Sequence, residues 1–238
     1  MPGRQPSAGD ELRRAISAIV VVLAILFGAA VTVGAASGLI GVADGTLGNR
    51  EQWIALLAFQ AMLVVLLVVF ARLFGPLQQT LMLVRPRVNA WGIARALAVT
   101  AGVLGAFSLM TGLAFPEAMR QDLAVFQKLL SGVSMWLPVV VLCVGAPVSE
   151  ELVFRGFLLG QLAQTRLGFG GAAVIATAAW TAIHMQYTAI GLADVFVAGM
   201  VFSWTLWRTG SLWVPILFHA LYNAIVLAVI SQTSWLAV

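Results

Sequence analysis

Apolar residues run along this chain in long unbroken stretches, separated by short polar or proline-containing segments. The first stretch covers about residues 15 to 41, and the polar Asp44, Arg50 and Glu51 follow it. A second runs from about 52 to 71. A basic connector over 72–92 then holds Arg72, Arg85 and Arg87, punctuated by Pro76 and Pro86. Further stretches cover about 93–115, 133–166, 169–187, 189–207 and 211–231. Crossing a bilayer as a helix takes about 20 apolar residues. The runs are continuous rather than alternating, which suits helices and not a barrel. The pattern therefore predicts an all-α, polytopic transmembrane helix bundle of about seven spans. One segment reads differently. From Pro116 to Ser131, Glu117, Arg120, Asp122 and Lys128 interleave with Leu123, Phe126, Leu129 and Leu130, the pattern of a short amphipathic helix lying at an interface.

Composition agrees with that pattern. Of 238 residues, 61% are hydrophobic and 9% charged, where a soluble domain carries roughly 25% charged residues. A net charge of +4 does not signal nucleic acid, because the arginines stand singly between apolar runs with no basic stripe. Cys143 is the only cysteine, so neither an internal disulfide framework nor a cysteine-based zinc site is available. The basic start followed by an apolar run resembles a signal peptide, but Ile16 to Ile40 is longer than the usual apolar region of one and reads as an uncleaved first span. There is no repeat and no soluble domain. The chain reads as one membrane domain, 1–238, with its chemistry concentrated in 133–231.

Basic residues set the expected orientation. With the N-terminus in the cytoplasm, Arg4, Arg13, Arg14, Arg72, Arg85, Arg87, Arg95, Arg155, Arg166 and Arg208 fall on the cytoplasmic side, against Arg50, Arg120 and Lys128 opposite. That is the positive-inside bias. The expected setting is a bacterial inner membrane.

Ionisable residues within apolar runs need a reason, since each costs about 3 kcal/mol or more to insert. Glu150, Glu151, Arg155, His184, Asp194 and His219 are such residues, and His184 and His219 are the chain's two histidines. Glu151 and Arg155 are four apart and can pair on one helix face. Glu150 points about 100° away from Glu151, toward a different partner. Pro147 lies just upstream and can kink the helix. Gly156 and Gly160 form a small-xxx-small pair that lets another helix approach. If the turn between the fourth and fifth runs centres near Leu167, Glu150 and His184 lie equally far from it in sequence and at similar depth. His219 sits early in the seventh run, with Asn223 one turn on. A carboxylate beside two imidazoles in a dry cavity suits water activation. Imidazoles can also bind a metal or stabilise an oxyanion.

At these residues a resemblance enters. The stretch Ala146 to Leu158, APVSEELVFRGFL, resembles the EExxxR motif of the CAAX-protease and bacteriocin-processing family of intramembrane metalloproteases. WTAIH, ending at His184, resembles that family's FxxxH, with Trp180 in place of phenylalanine. SLWVPILFHALYN, Ser211 to Asn223, resembles HxxxN. The resemblance implies a helical membrane core whose active site opens into the bilayer. It implies peptide-bond hydrolysis with Glu150 as base and His184, His219 and Asn223 completing the site, while Glu151 and Arg155 support it. It leaves metal use open: zinc held by His184 and His219, or a glutamate-activated water with no metal. The expected partners are membrane lipid and a peptide or membrane-protein substrate, with no nucleic acid. A non-catalytic scaffold or immunity factor of the same fold, or an ion-coupled transporter, are the competing readings. Asp194 matches no motif and reads as a solvated helix end. Cys143 reads as a packing residue, and Trp213 and Trp235 as interface markers.

Overall fold

The computed structural model describes residues 7–39 and 48–232. Arg4, Asp44, Trp235 and the last residues of the first apolar run lie outside the described residues. Among the described residues there is no strand, and the chain is a polytopic helical bundle. The helices are α1 (Ala8–Leu39), α2 (Asn49–Ala71), a short α3 (Leu77–Thr80), α4 (Ala90–Ala114), α5 (Pro116–Leu130), α6 (Trp136–Leu162), α7 (Gly168–Ala182), α8 (Ala189–Thr209) and α9 (Trp213–Gln232). Six of them are long and apolar enough to cross a membrane: α1, α2, α4, α6, α8 and α9. These six helices make the chain an integral membrane protein.

The fifth apolar run departs from expectation in length. Its helix, α7, has 15 residues, which at 1.5 Å per residue is about 22 Å, short of the roughly 30 Å hydrocarbon core. It ends at Ala182, so His184 sits in the turn beyond it rather than on the helix. The amphipathic segment does form a separate helix, α5, whose first residue is Pro116. Proline suits that position, where its missing N–H would be unpaired in any case.

Contacts between helix ends show how the spans alternate. At one end Arg14 Nη1 donates to Gln164 Oε1 (2.6 Å), and Arg166 pairs with Glu11. The Arg87 amide there reaches the Thr209 carbonyl (2.8 Å). At the other end Asn49 Nδ2 donates to the carbonyls of Lys128 and Ser131 (both 2.8 Å), and Trp53 Nε1 to that of Leu129 (3.0 Å). Asp122, on α5, accepts from the Thr188 amide and hydroxyl (both 2.8 Å) at the start of α8. Seven alternating segments satisfy every one of these pairings. Arg155 is the exception among the basic flanks: it is fully buried inside α6.

The helix α6 stands at the centre. Over its most apolar window 56% of residues are buried, against 22% for each of α1, α2 and α4. It is not a uniform α-helix. Two π-helical stretches, Val141–Gly145 and Glu151–Leu159, flank the α-turn Ala146–Glu150. Pro147 accounts for part of this. The Ala146 amide bonds the Val141 carbonyl five residues back. The next amide in that ladder would belong to Pro147, which has none. The Leu142 carbonyl is left over, and Asn223 Nδ2 on α9 donates to it (2.8 Å).

The glycines of α6 admit something other than a helix. A Cβ on Gly156 would lie 3.2 Å from the Leu81 carbonyl oxygen, and one on Gly160 3.2 Å from Met82 Cε. What approaches is the 80–82 part of the connector, with Met82 at φ 52°, together with Leu212 Cδ2, 2.9 Å from a Cβ on Gly156. The same strand of backbone bonds the turn before α9, where the Leu212 amide donates to the Met82 carbonyl (3.0 Å) and Ser211 Oγ to that of Val84.

Candidate active site

The two adjacent glutamates of α6 serve different partners. Glu151 is fully buried, and its Oε1 accepts from Arg155 Nη1 (3.1 Å) and from His219 Nδ1 (3.0 Å). A carboxylate only accepts, so the hydrogen sits on Nδ1 and Nε2 is presented on the opposite side of the ring. The His219 ring is clamped by Phe202, stacked at 4.9 Å and 20°. Arg155 is fully buried too, and its Nε and Nη2 make no hydrogen bond. Its charge is met instead by the face of Trp180, with Cζ 4.2 Å from the ring centroid, and more distantly by Phe202 at 5.9 Å. Such cation–π contacts gain strength when desolvated.

Glu150 faces the other way and keeps 15% of its side chain exposed. Its Oε2 accepts from the indole N–H of Trp180 (2.6 Å) and lies 4.0 Å from His219 Nε2. His184 is partly exposed, and its Nδ1 lies 2.9 Å from the Trp180 carbonyl. The carbonyl can only accept, so this histidine also carries hydrogen on Nδ1 and offers Nε2. Its ring stands edge-on to Trp180 at 5.1 Å and stacks on Tyr187 at 5.8 Å and 9°. Trp180 is thus the shared wall of the site, also edge-on to His219 at 5.6 Å.

The structure therefore brings Glu150 and His219 together directly and joins His184 to them through Trp180. Asn223 is turned elsewhere. Four residues past His219 on α9, it spends an amide hydrogen on the Leu142 carbonyl. Asp194 is not a solvated helix end. It lies partly buried within the first two turns of α8, where Thr111 Oγ1 of α4 donates to it (3.2 Å). Sequence reading noted Trp180 only as standing in place of the motif's phenylalanine. The i, i+4 spacing from Trp180 to His184 was the available signal, since it sets both on one face. Nothing in the sequence marked Phe202 or Gly199, although a Cβ on Gly199 would lie 2.6 Å from Arg155 Nη2.

Among the described residues no three His, Cys, Asp or Glu side chains come together to hold a metal ion. His219 Nδ1 is taken by Glu151 and the Glu150 oxygen nearest His219 by an indole N–H, which leaves Nε2 of each histidine as the ring nitrogen that could ligate a metal.

Comparison with known proteins fits this geometry. Residues 132–225 match the family model described as type II CAAX prenyl endopeptidase Rce1-like. This segment is similar to that family. It runs from just before α6 into α9 and contains every residue of the site described above. The Rce1-like match agrees with the three motifs and supports a protease of the CAAX type. No curated protein and no solved structure matches the chain.

Proposed function

We propose that the protein is an intramembrane endopeptidase that hydrolyses a peptide bond with water activated by Glu150. The observation that carries this reading is the contrast within one helix turn: Glu151 is sealed and committed, while Glu150 is part-open and 4.0 Å from an imidazole nitrogen. Glu150 Oε1 takes a proton from water, and the hydroxide attacks the substrate carbonyl. Nε2 of His219, in its imidazolium form, donates to the oxyanion. His184 accepts from the water through its own Nε2. As the C–N bond breaks, Glu150 returns the proton to the leaving amine. In this reading Asn223 is a positioning residue that shapes the π-turn before Glu150.

The short α7 supports water access. A helix of about 22 Å starting at one surface stops before the other, so the His184 turn would lie below that surface, and His184 is only partly buried. The expected substrate is a peptide or the membrane-proximal end of a protein, and the N-terminus is expected in the cytoplasm of a bacterial cell.

The test is cleavage in lipid nanodiscs of quenched fluorescent peptides, with and without a lipidated cysteine near the C-terminus. Wild type should cleave at least one. Glu150→Gln should lose about 10²–10⁴-fold in rate, the usual contribution of a general base, while folding normally. A folded wild type that cleaves none of them, in the presence or absence of added zinc, overturns the reading in favour of a scaffold. Activity that survives chelation supports the metal-free route. Activity lost on chelation and restored by zinc or cobalt replaces it with a metal-bound water.

A further inference from the structure

Where the resembling motif has phenylalanine this chain has Trp180, and the difference is one hydrogen-bond donor. Trp180 is 3% exposed. A buried indole N–H needs an acceptor, and this one has found Glu150 Oε2 at 2.6 Å. The same residue also touches Arg155, His184 and His219. Its ring face meets Arg155 at 4.2 Å, its edges meet His184 at 5.1 Å and His219 at 5.6 Å, and its carbonyl accepts from His184 Nδ1 at 2.9 Å. A phenylalanine ring could supply the face, the edges and the carbonyl. It could not supply the N–H.

We propose that Trp180 is a positioning residue, whose indole N–H pins Glu150 Oε2 away from His219 and leaves Oε1 to meet the water. This rests on the hydrolytic reading above. The alternative open to an unpinned Glu150 is on the page: Oε2 is 4.0 Å from His219 Nε2, and a small side-chain rotation would turn that approach into a direct hydrogen bond. Base and oxyanion donor would then satisfy each other and be withdrawn from the reaction together. The indole N–H competes for that oxygen without adding a charge. Phe202, stacked on the same imidazole, fixes the plane of the His219 ring.

The experiment has two arms. In the first, the protein is labelled with 15N-indole tryptophan in nanodiscs, and the Trp180 signal among the eight indoles is assigned by its loss in Trp180→Phe. An N–H bonded to a carboxylate resonates downfield, so Glu150→Gln should move that one signal upfield. An unmoved set of eight signals overturns the proposal whether or not the protein is a protease. The arm remains decisive if Trp180→Phe fails to accumulate, because Glu150→Gln alone must displace one signal. In the second arm, Trp180→Phe should cleave the wild-type's peptide with kcat reduced about ten- to a hundredfold and KM within about twofold, the loss expected when ground-state binding is intact. Unchanged kcat overturns the proposal. A raised KM with kcat intact also overturns it, since that would make Trp180 a substrate contact.

Discussion

The two sides of α6 at the site differ in what they exclude. The Glu151 side is dry: Glu151 and Arg155 are fully buried, and His219 is 3% exposed. Glu151 Oε1, Arg155 and His219 meet fixed partners there, by hydrogen bond or across an aromatic face, while Glu151 Oε2 makes no hydrogen bond. The Glu150 side is part-open and holds its carboxylate by one neutral donor. The difference teaches that adjacent, chemically identical residues can be assigned opposite duties by the partners on neighbouring helices. A carboxylate locked to a guanidinium is a poor base, and one held only by an indole keeps its lone pairs for a proton.

Breaking the dry side should have the largest effect on folding. Glu151→Ala or Arg155→Ala removes one half of a buried pair and strands the other, which costs about 3–5 kcal/mol. Yield and thermal midpoint in detergent should both collapse. Normal accumulation of either variant with an unchanged midpoint would mean that the dry side is not sealed. On the open side Glu150→Gln should do the reverse, leaving the midpoint within a few degrees while abolishing cleavage.

Gly199→Ala sharpens the comparison without replacing a charged residue. The new methyl would sit 2.6 Å from Arg155 Nη2, 2.6 Å from Thr177 Cγ2 and 2.9 Å from Trp180 Cε3. Overpacking of that kind costs about 1–3 kcal/mol, and here it presses on the guanidinium that holds Glu151. The midpoint should fall by less than in Arg155→Ala, and a midpoint at the wild-type value would show that α7 and α8 can part there freely. Asn223→Ala should do least. It leaves the Leu142 carbonyl without its donor, worth about 1–3 kcal/mol if the group stays dry and less where lipid-embedded helices re-pair. Activity should stay within about tenfold of wild type. A loss of about 10²–10³-fold in kcat at unchanged stability would instead make Asn223 an oxyanion donor.

Much of this was legible beforehand, for identifiable reasons. Span existence follows from the length of apolar runs, and α1, α2, α4, α8 and α9 lie close to where those runs placed them. The Glu151–Arg155 pairing follows from i, i+4 spacing, which survives even though the helix there is π-wound. What stayed hidden depended on other elements. The destination of the Asn223 amide required knowing that Pro147 lies in a π-ladder five residues beyond Leu142. The partner of Gly156 and Gly160 is a connector, and no periodicity within α6 could distinguish that from a helix. The end of α7 was misjudged because Ile183, Met185 and Tyr187 extend the apolar pattern beyond the point where the backbone turns.

The connector beneath α6 also dictates an order of events in folding. Its carbonyls at Met82 and Val84 accept from Leu212 and Ser211, and the Arg87 amide reaches Thr209. The Ser211–Val84 bond closes a loop of 127 residues, so nearly all of α4 through α8 must be made before any of these bonds can form. Until then the Met82 and Val84 carbonyls and the Arg87 amide lack these partners and need water, which confines them to the membrane surface. Such long-range closure is slow relative to local helix formation. The α8–α9 hairpin, on reaching the bilayer, therefore acts as a latch that holds the connector in place beside Gly156 and Gly160 of α6.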